Sequence, residues 1–417
     1  MTVTSLAGFE RVFGGLWPGS PLGYAVADFF RHGGSVAVVV RAHAPGTDDT
    51  ALLTLGDAAS GELVLRAASP GAWGSHLVAR SDADGRLVVS DTGSGRLEVL
   101  SDLARVDVES DLVRVVSRPA RLGTGLAATT TPAAGDGGSP DPAAYGRAFA
   151  ALRQADLINL LVVPGDLDPD VSTAATALAE ERRAIFLRDP PEAWTTAGLA
   201  VAGATAAVPP RSPNAAVYFP RIRQPGPLRG PSGAVAGVIA RNDVTRGVWK
   251  SPAGVEAELE GVSELDVAVN DRDGARLNPL GVNALRSFPG TGPVVWGART
   301  SDGTWYLAIR RTALFLAESL ERGTRWATFE ANDEALWARL RTEVAAFLDD
   351  LFRRGAFAGA TPQDAYLVKC DGATTTRADV ERGLVNVTVG FAPLKPAEFV
   401  VIQLQQLAGH TPHALTG

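Results

Sequence analysis

Hydrophobic positions in this chain follow helical spacing in some stretches and short, strand-like runs in others, and the change between the two divides it. Near the start, Leu22, Tyr24, Ala25, Phe29 and Phe30 form an apolar stripe at helical spacing. Ser20 can cap that helix, Pro21 suits its first position, and Gly33 and Gly34 end it. Val36 to Val40 follow as a continuous β-branched run, the pattern of a strand buried on both faces. From about Thr50 to Leu122 the runs become short. ELVLRAAS, HLVAR, RLVVS, RLEVLS and LVRVVS are separated by Gly, Asp, Ser and Pro, which predicts an all-β segment. Gly123 to Pro142 (GTGLAATTTPAAGDGGSPDP) reads as a turn-rich, low-complexity connection.

Alternation of helix and strand then resumes. The pattern predicts a helix over Tyr145 to Gln154, a buried strand over Leu157 to Val163 and a helix over Val171 to Arg182. Strands are predicted at Ala184 to Leu187 and Ala215 to Phe219. This order implies a partly parallel sheet with helices on its faces. Further on, Thr304 to Arg310 reads as a strand and Thr312 to Arg322 as a helix. A long helix starts at Asn332, with Asp333 and Glu334 in its first turn, where the helix dipole favours anions. Trp337, Leu340, Val344, Phe347, Leu348 and Leu351 recur along it as a core-facing stripe. In Leu384 to Phe391, Val385, Val387, Val389 and Phe391 alternate with polar positions. In Phe399 to Leu407 the run FVVI is apolar on both faces, and Gln403, Gln405 and Gln406 follow. The fold class is α/β passing into α+β: a mixed sheet with flanking helices, an inserted all-β domain and a C-terminal α+β domain.

Composition narrows the chemistry. The formal charge of −7 over 417 residues lacks the basic surplus that a nucleic-acid partner favours. Arginine supplies nearly all the positive charge; the lysines are Lys250, Lys369 and Lys395. The guanidinium fork suits carboxylate pairs at protein interfaces. A single cysteine, Cys370, excludes an intrachain disulfide framework and a cysteine-based zinc site. The N-terminus lacks the basic and apolar regions of a secretory signal, and no apolar run reaches the ~18 residues of a membrane span. The expectation is cytoplasmic production with no direct membrane insertion.

Catalytic patterns find little support. The histidines are His32, His43, His76, His410 and His413, leaving the α/β region without one. There is no G-x-S-x-G elbow for a serine nucleophile and no G-x-x-x-x-G-K-[ST] phosphate loop. Gly233 and Gly237 in PSGAVAGVIARND form a small-residue pair that fits close backbone packing or turn geometry better than nucleotide binding. Asp166, Asp168 and Asp170, and likewise Asp271 and Asp273, fit Asx-turns and helix caps better than a calcium loop. No catalytic, cofactor-binding or metal-binding residue is assigned. Trp249 and Trp296, each in a short Gly-containing segment, are candidates for core packing or for an interface.

Several motifs, in one order, resemble the tail sheath proteins of contractile phages, pyocins and phage-like contractile injection systems. They are FERVFGG (Phe9 to Gly15), AVADFFRHGG (Ala25 to Gly34), SPGAWGSHL (Ser69 to Leu77), YFPRI (Tyr218 to Ile222) and PSGAVAGVIARND (Pro231 to Asp243). RNDVTRGVWKSPAG (Arg241 to Gly254), RLNPLGVNALRSFPGTGPVVWGART (Arg276 to Thr300), SLERGTRWATFEANDEALW (Ser319 to Trp337) and PLKPAEFVVIQLQQLAG (Pro393 to Gly409) follow. The resemblance implies a structural subunit that stacks as six-membered rings wound helically around an inner tube, between baseplate and terminator proteins. It implies contraction that drives the tube through a target envelope, with no cofactor. On this basis residues 1–48 and 143–270 form the sheath-type core, 49–125 an inserted all-β outer domain and 126–142 a flexible linker. Residues 271–417 form the C-terminal domain, with an arm strand at 398–409. Phe399, Val400, Val401, Ile402, Gln403 and Leu404 correspond to the strand that the family adds to a neighbour's sheet. The family pattern also implies an extended arm ahead of FERVFGG, so the 417-residue form is expected to polymerise poorly until such an arm is supplied. Two other readings stay open: an α/β hydrolase-like enzyme, and a baseplate or adaptor protein sharing the sheath fold.

Overall fold

A computed structural model of the chain describes residues 1–44, 49–57, 61–133, 140–206, 211–224, 226–394 and 400–407. Its contacts divide into two units. One comprises Met1, Ala7–Gly15 and Val39–Gln154; the other comprises Thr2–Leu6, Leu16–Val38 and the described part of Ala155–Gly417. Strand β1 (Thr2–Val3) precedes helices α1 (Leu6–Phe13) and α2 (Pro21–Arg31), and pairs antiparallel with β2 (Ala37–Val38). The Ser20 hydroxyl accepts the Leu22 N–H at 3.4 Å, Pro21 opens α2, and Gly33 turns away at φ +107°. The run Val36 to Val40 departs from expectation. Ala37 and Val38 pair with β1, Val39 exchanges main-chain hydrogen bonds with Met1 at 2.8 and 3.1 Å, and Val36 is 57% exposed. An apolar run specifies burial but not partners, and here the two residues of β1 are the partner available.

In the first unit, β3 (Leu52–Asp57), β4 (Gly61–Ala67), β5 (Leu77–Ser81), β6 (Leu87–Asp91) and β7 (Leu97–Leu100) precede a short helix α3 (Val106–Glu109). Then come β8 (Val113–Ser117), β9 (Thr129–Thr131) and helix α4 (Pro142–Leu152). The strands make two antiparallel sheets, ordered β8-β4-β3-β9 and β5-β6-β7. Alternating positions bury Leu53, Leu55, Leu63, Leu65, Leu77, Leu87 and Val89 in one cluster, as the period of two requires. Part of the expected flexible linker is therefore ordered structure: Thr129 to Thr131, a β-branched triplet, pairs with the edge of β3. Asp141 caps α4 by accepting the Ala144 N–H at 2.7 Å.

The second unit centres on five strands in the order β10 (Leu160–Val162), β11 (Ile185–Arg188), β12 (Ala215–Phe219), β15 (Val282–Phe288) and β16 (Gly292–Val295). The first three joins are parallel and the β15–β16 join is antiparallel. Helices α5 (Pro169–Glu181), α6 (Ala197–Thr205), α7 (Ser232–Arg246) and α8 (Asp271–Leu277) intervene, with a small pair β13 (Ile222–Arg223) and β14 (Glu264–Leu265). Every residue of β11 and β12 is buried, which is why both runs lack polar alternation. Helix α7 packs on α2 through the two glycines singled out above. A Cβ at Gly233 would lie 2.4 Å from the Ala25 carbonyl oxygen, and one at Gly237 would lie 2.5 Å from that of Phe29.

The C-terminal part adds α9 (Leu307–Gly323) and α10 (Glu334–Arg353), then β17 (Tyr366–Lys369), β18 (Leu384–Phe391) and β19 (Val400–Leu407). Thr304 to Arg310 is not a strand. One bridge joins Arg299 to Tyr306, and α9 begins at Leu307. Leu307, Ala308 and Ile309 are buried in the first turn of α9, ahead of the buried Ala313, Leu316 and Leu320, and the longer helical run prevails over local β propensity.

Candidate assembly surface

The C-terminal sheet is built around a helix whose start is fixed by its cap. Asp333 accepts the Leu336 N–H at 3.0 Å, so α10 presents Leu336, Leu340, Val344, Leu348 and Leu351 to the core. Val385, Val387, Val389 and Phe391 of β18 meet that stripe in the same cluster. Strand β19 pairs antiparallel with β18 over eight positions, from Val400 opposite Phe391 to Leu407 opposite Leu384. Of the expected arm residues, Val400, Val401, Ile402, Gln403 and Leu404 lie in this strand, and Phe399 lies outside the described residues. The Gln405 side-chain amide donates to Asn386 Oδ1 at 3.0 Å across the pair. Among the described residues, the sheet order β17-β18-β19 leaves the C-terminal strand at an edge, joined to one neighbour.

The two candidate tryptophans occupy different settings. Trp249 is half-buried against the C-terminal core, with the Arg354 guanidinium 5.5 Å from its ring. Gly247, at φ +92°, lets the chain fold over the indole, where a Cβ would sit 2.4 Å from ring carbons. Trp296 is 39% exposed and packs on Phe288 at 4.6 Å between centroids, with Arg286 5.7 Å away.

Buried charge gathers elsewhere, near the carboxyl ends of the parallel strands. Arg229 donates to both Asp28 carboxylate oxygens, at 2.7 and 2.8 Å, and to Gln224 Oε1 at 2.7 Å. Asp189 accepts the backbone N–H groups of Gly165 and Ser232, each at 2.8 Å. Burial pushes its carboxyl up, against those two bonds. A Cβ at Gly230 would lie 1.9 Å from the Asp189 carboxyl carbon, so the carboxylate occupies the space that glycine leaves. Burial lowers Arg188 to about 10 beside a cavity of about 200 Å³. Sequence reading missed this network because its members are far apart in the chain.

The remaining polar candidates have local tasks. Asp168 caps α5, Asp166 accepts the Glu192 N–H at 3.0 Å, and Asp273 closes a capping box with Asn270. Asp271 pairs with Arg286 at 2.6 Å. Among the described residues, no group of three or more His, Cys, Asp or Glu side chains is placed to hold a metal ion. Cys370 is buried, and burial pushes its thiol up to about 11. His32 Nδ1 lies 2.7 Å from the Asp28 carbonyl oxygen, and burial pushes its imidazole down. Among the described residues, no helix is long and apolar enough to cross a membrane.

This arrangement has known counterparts. A family model described as the phage tail sheath protein central domain matches residues 138–301, and the phage tail sheath C-terminal domain matches residues 301–406. A prophage major tail sheath protein of Pseudomonas aeruginosa is 27% identical over 248 residues, 57% of this chain and 62% of that protein. The tail sheath protein of Vibrio phage KVP40 is 24% identical over 176 residues, covering 41% of this chain and 25% of that protein. The chain thus spans less than two thirds of the length of either curated relative. The sheath complex of the extracellular contractile injection system PVC, in its contracted state, superposes with a TM-score of 0.55 at 31% identity. That match covers 62% of this chain and 74% of the PVC chain. The sheath tail protein of Listeria innocua shares the fold across 98% of this chain and 91% of its own, with a TM-score of 0.68 at 12% identity. Two domain models in tandem, agreeing with the mixed sheet and the C-terminal helix–sheet layer, show that the chain belongs to the contractile tail sheath family.

Proposed function

We infer that this chain is a structural sheath subunit that polymerises helically around an inner tube and contracts to drive that tube through a target envelope. The observation that carries this is the position of β19: an eight-residue strand at the edge of a small sheet, in a domain matched to the sheath C-terminal family. An edge strand holds its place mainly by main-chain hydrogen bonds, so the same strand can leave β18 of its own chain and add to the sheet of a neighbour. Val400, Val401, Ile402, Gln403 and Leu404, with Phe399, would then form the inter-subunit strand. Contraction on this reading needs no catalytic group. It is a transition between two packings of one lattice, with the energy stored in the extended state.

The partners on this reading are other sheath subunits in hexameric rings stacked helically, the tube protein, and baseplate and terminator proteins. Assembly takes place in the cytoplasm before the particle acts. Residues 49–125 form the inserted outer domain, and residues 1–48 and 143–270 with the C-terminal domain form the lattice. Electron microscopy of the chain produced together with its genomic neighbours tests the reading. Tubes with a regular helical repeat are expected. A chain that stays monomeric with all neighbours present would overturn it, and turnover of an ester or peptide by that monomer would favour the hydrolase alternative.

A further inference from the structure

Three arginines are buried among the described residues, and two of them hold a carboxylate in the same way. Arg229 grips both Asp28 oxygens, and Arg311 donates to both Asp243 oxygens at 2.7 and 2.5 Å. Arg188, the last residue of β11, is 6% exposed, and its guanidinium makes no hydrogen bond or ion pair among the described residues. It lines the cavity of about 200 Å³ at the carboxyl ends of β10 and β11. A buried guanidinium without a counter-charge is unfavourable, and burial lowers its pKa to about 10. The carboxyl ends of parallel strands are also where α/β sheets place their ligands.

The walls of the cavity define what would complete it. Asp166 and Asp189 both line it, and backbone donors already engage both carboxylates. Asp189 accepts the Gly165 and Ser232 N–H groups, one on each oxygen, and Asp166 accepts that of Glu192. The charge of Asp166 acts on Arg188 from a distance but does not pair with it. A dianion such as phosphate would face these two acids across a small space, so a single negative charge suits the site. Leu167, Pro169 and Pro191 make the rest of the wall apolar, which suits a hydrocarbon stem. Ordinary ligand pockets begin near ~300 Å³, so this smaller volume limits the stem to a few carbons.

We propose that this cavity is a carboxylate site. Arg188 binds one carboxylate in the two-pronged manner of Arg229 and Arg311, and Leu167, Pro169 and Pro191 hold its short aliphatic stem. The planar guanidinium fork matches that geometry. All the lining residues come from one chain, so the site stands whether or not the chain polymerises. The carboxylate belongs either to a free short-chain acid or to a glutamate side chain of another copy.

Saturation-transfer NMR of the dilute full chain with sodium butyrate tests the site. Transfer to butyrate is expected, with 1-butanol and inorganic phosphate each binding at least roughly tenfold more weakly. Arg188→Met should weaken butyrate binding by a similar factor. It should leave the melting temperature unchanged or higher, because no acid loses its partner. A lower melting temperature would show that the chain already supplies the counter-charge, and the proposal would fall. Leu167→Trp fills the cavity while keeping the guanidinium, and should abolish binding too. No binding by the unaltered chain, or binding that survives either variant or is matched by butanol or phosphate, overturns the proposal. Chain concentration then separates the two sources. Butyrate binding lost as the chain assembles assigns the site to a neighbour's glutamate, and binding that persists assigns it to the free acid.

Discussion

At Gly233 the hydrogen in place of a side chain sets the distance between two helices. Gly233→Ala places a methyl group against the Ala25 carbonyl, and α2 and α7 must separate to admit it. A loss of about 1–3 kcal/mol is expected in chemical denaturation. Gly274→Ala is the control: no atom lies within 4 Å of its added Cβ, and a gain of up to ~1 kcal/mol is expected. The Gly233/Gly237 pair was legible because its spacing lies within one helix. The Asp28–Arg229 pair was not, because its members are separated by 201 residues and nothing local links them. Arg229→Met leaves the Asp28 carboxylate buried without its cation, and a loss of about 3–5 kcal/mol should appear in the same measurement. His32 adds a dependence on pH. Its folded pKa lies below the unfolded value of 6.5, chiefly through burial, with Arg241 lowering it and the carbonyl and charge of Asp28 and the charge of Glu260 raising it. The unfolded chain therefore binds the proton more readily. The His32 contribution to stability is full above about pH 6.5 and is lost as pH falls from there through the folded pKa. His32→Gln should flatten that part of a stability profile measured between pH 5 and 8.

Elements were legible where one period ran for several turns. The stripe from Trp337 to Leu351 predicts α10 and its buried face, and the alternation of Val385, Val387 and Val389 predicts β18. Short runs failed for a physical reason: neither Val36–Val40 nor Thr304–Arg310 is long enough to record which neighbours it meets. The pairing of β19 was likewise invisible, since FVVI is apolar on both faces and fixes no register. Its role can be separated from its stability. Ending the chain after Leu394 removes β19 but leaves β17 and β18 packed on α10 through Val385, Val387, Val389 and Phe391. The shortened chain should keep its helical circular dichroism and a cooperative melt, yet form no tubes under electron microscopy. Long tubes from that chain would show that the strand is not the coupling between subunits.

At the scale of the molecule, the change in texture between Thr50 and Leu122 coincides with two antiparallel sheets, but their exact closure was hidden. The Thr129–Thr131 triplet lay in a stretch whose composition signals only a connection. Pairing shows what it closes: Leu52 of β3 stands opposite Thr131 of β9, so the region enters and leaves at adjacent points. Opposed residues in an antiparallel pair lie ~5 Å apart, a gap that a linker of a few residues spans. The two sheets share one buried cluster, built from side chains within the region except for Ala51 and Ala133 at its edges, so removing both together strands only those two small side chains. Replacing residues 52–131 with a short Gly-Ser linker should therefore give a chain that still melts cooperatively. If this region faces outward in the polymer, the shortened chain should also assemble into tubes with the same helical repeat and a smaller outer diameter in electron micrographs. A folded but non-polymerising product would place the region inside the lattice, and an unfolded one would make it part of the fold's foundation.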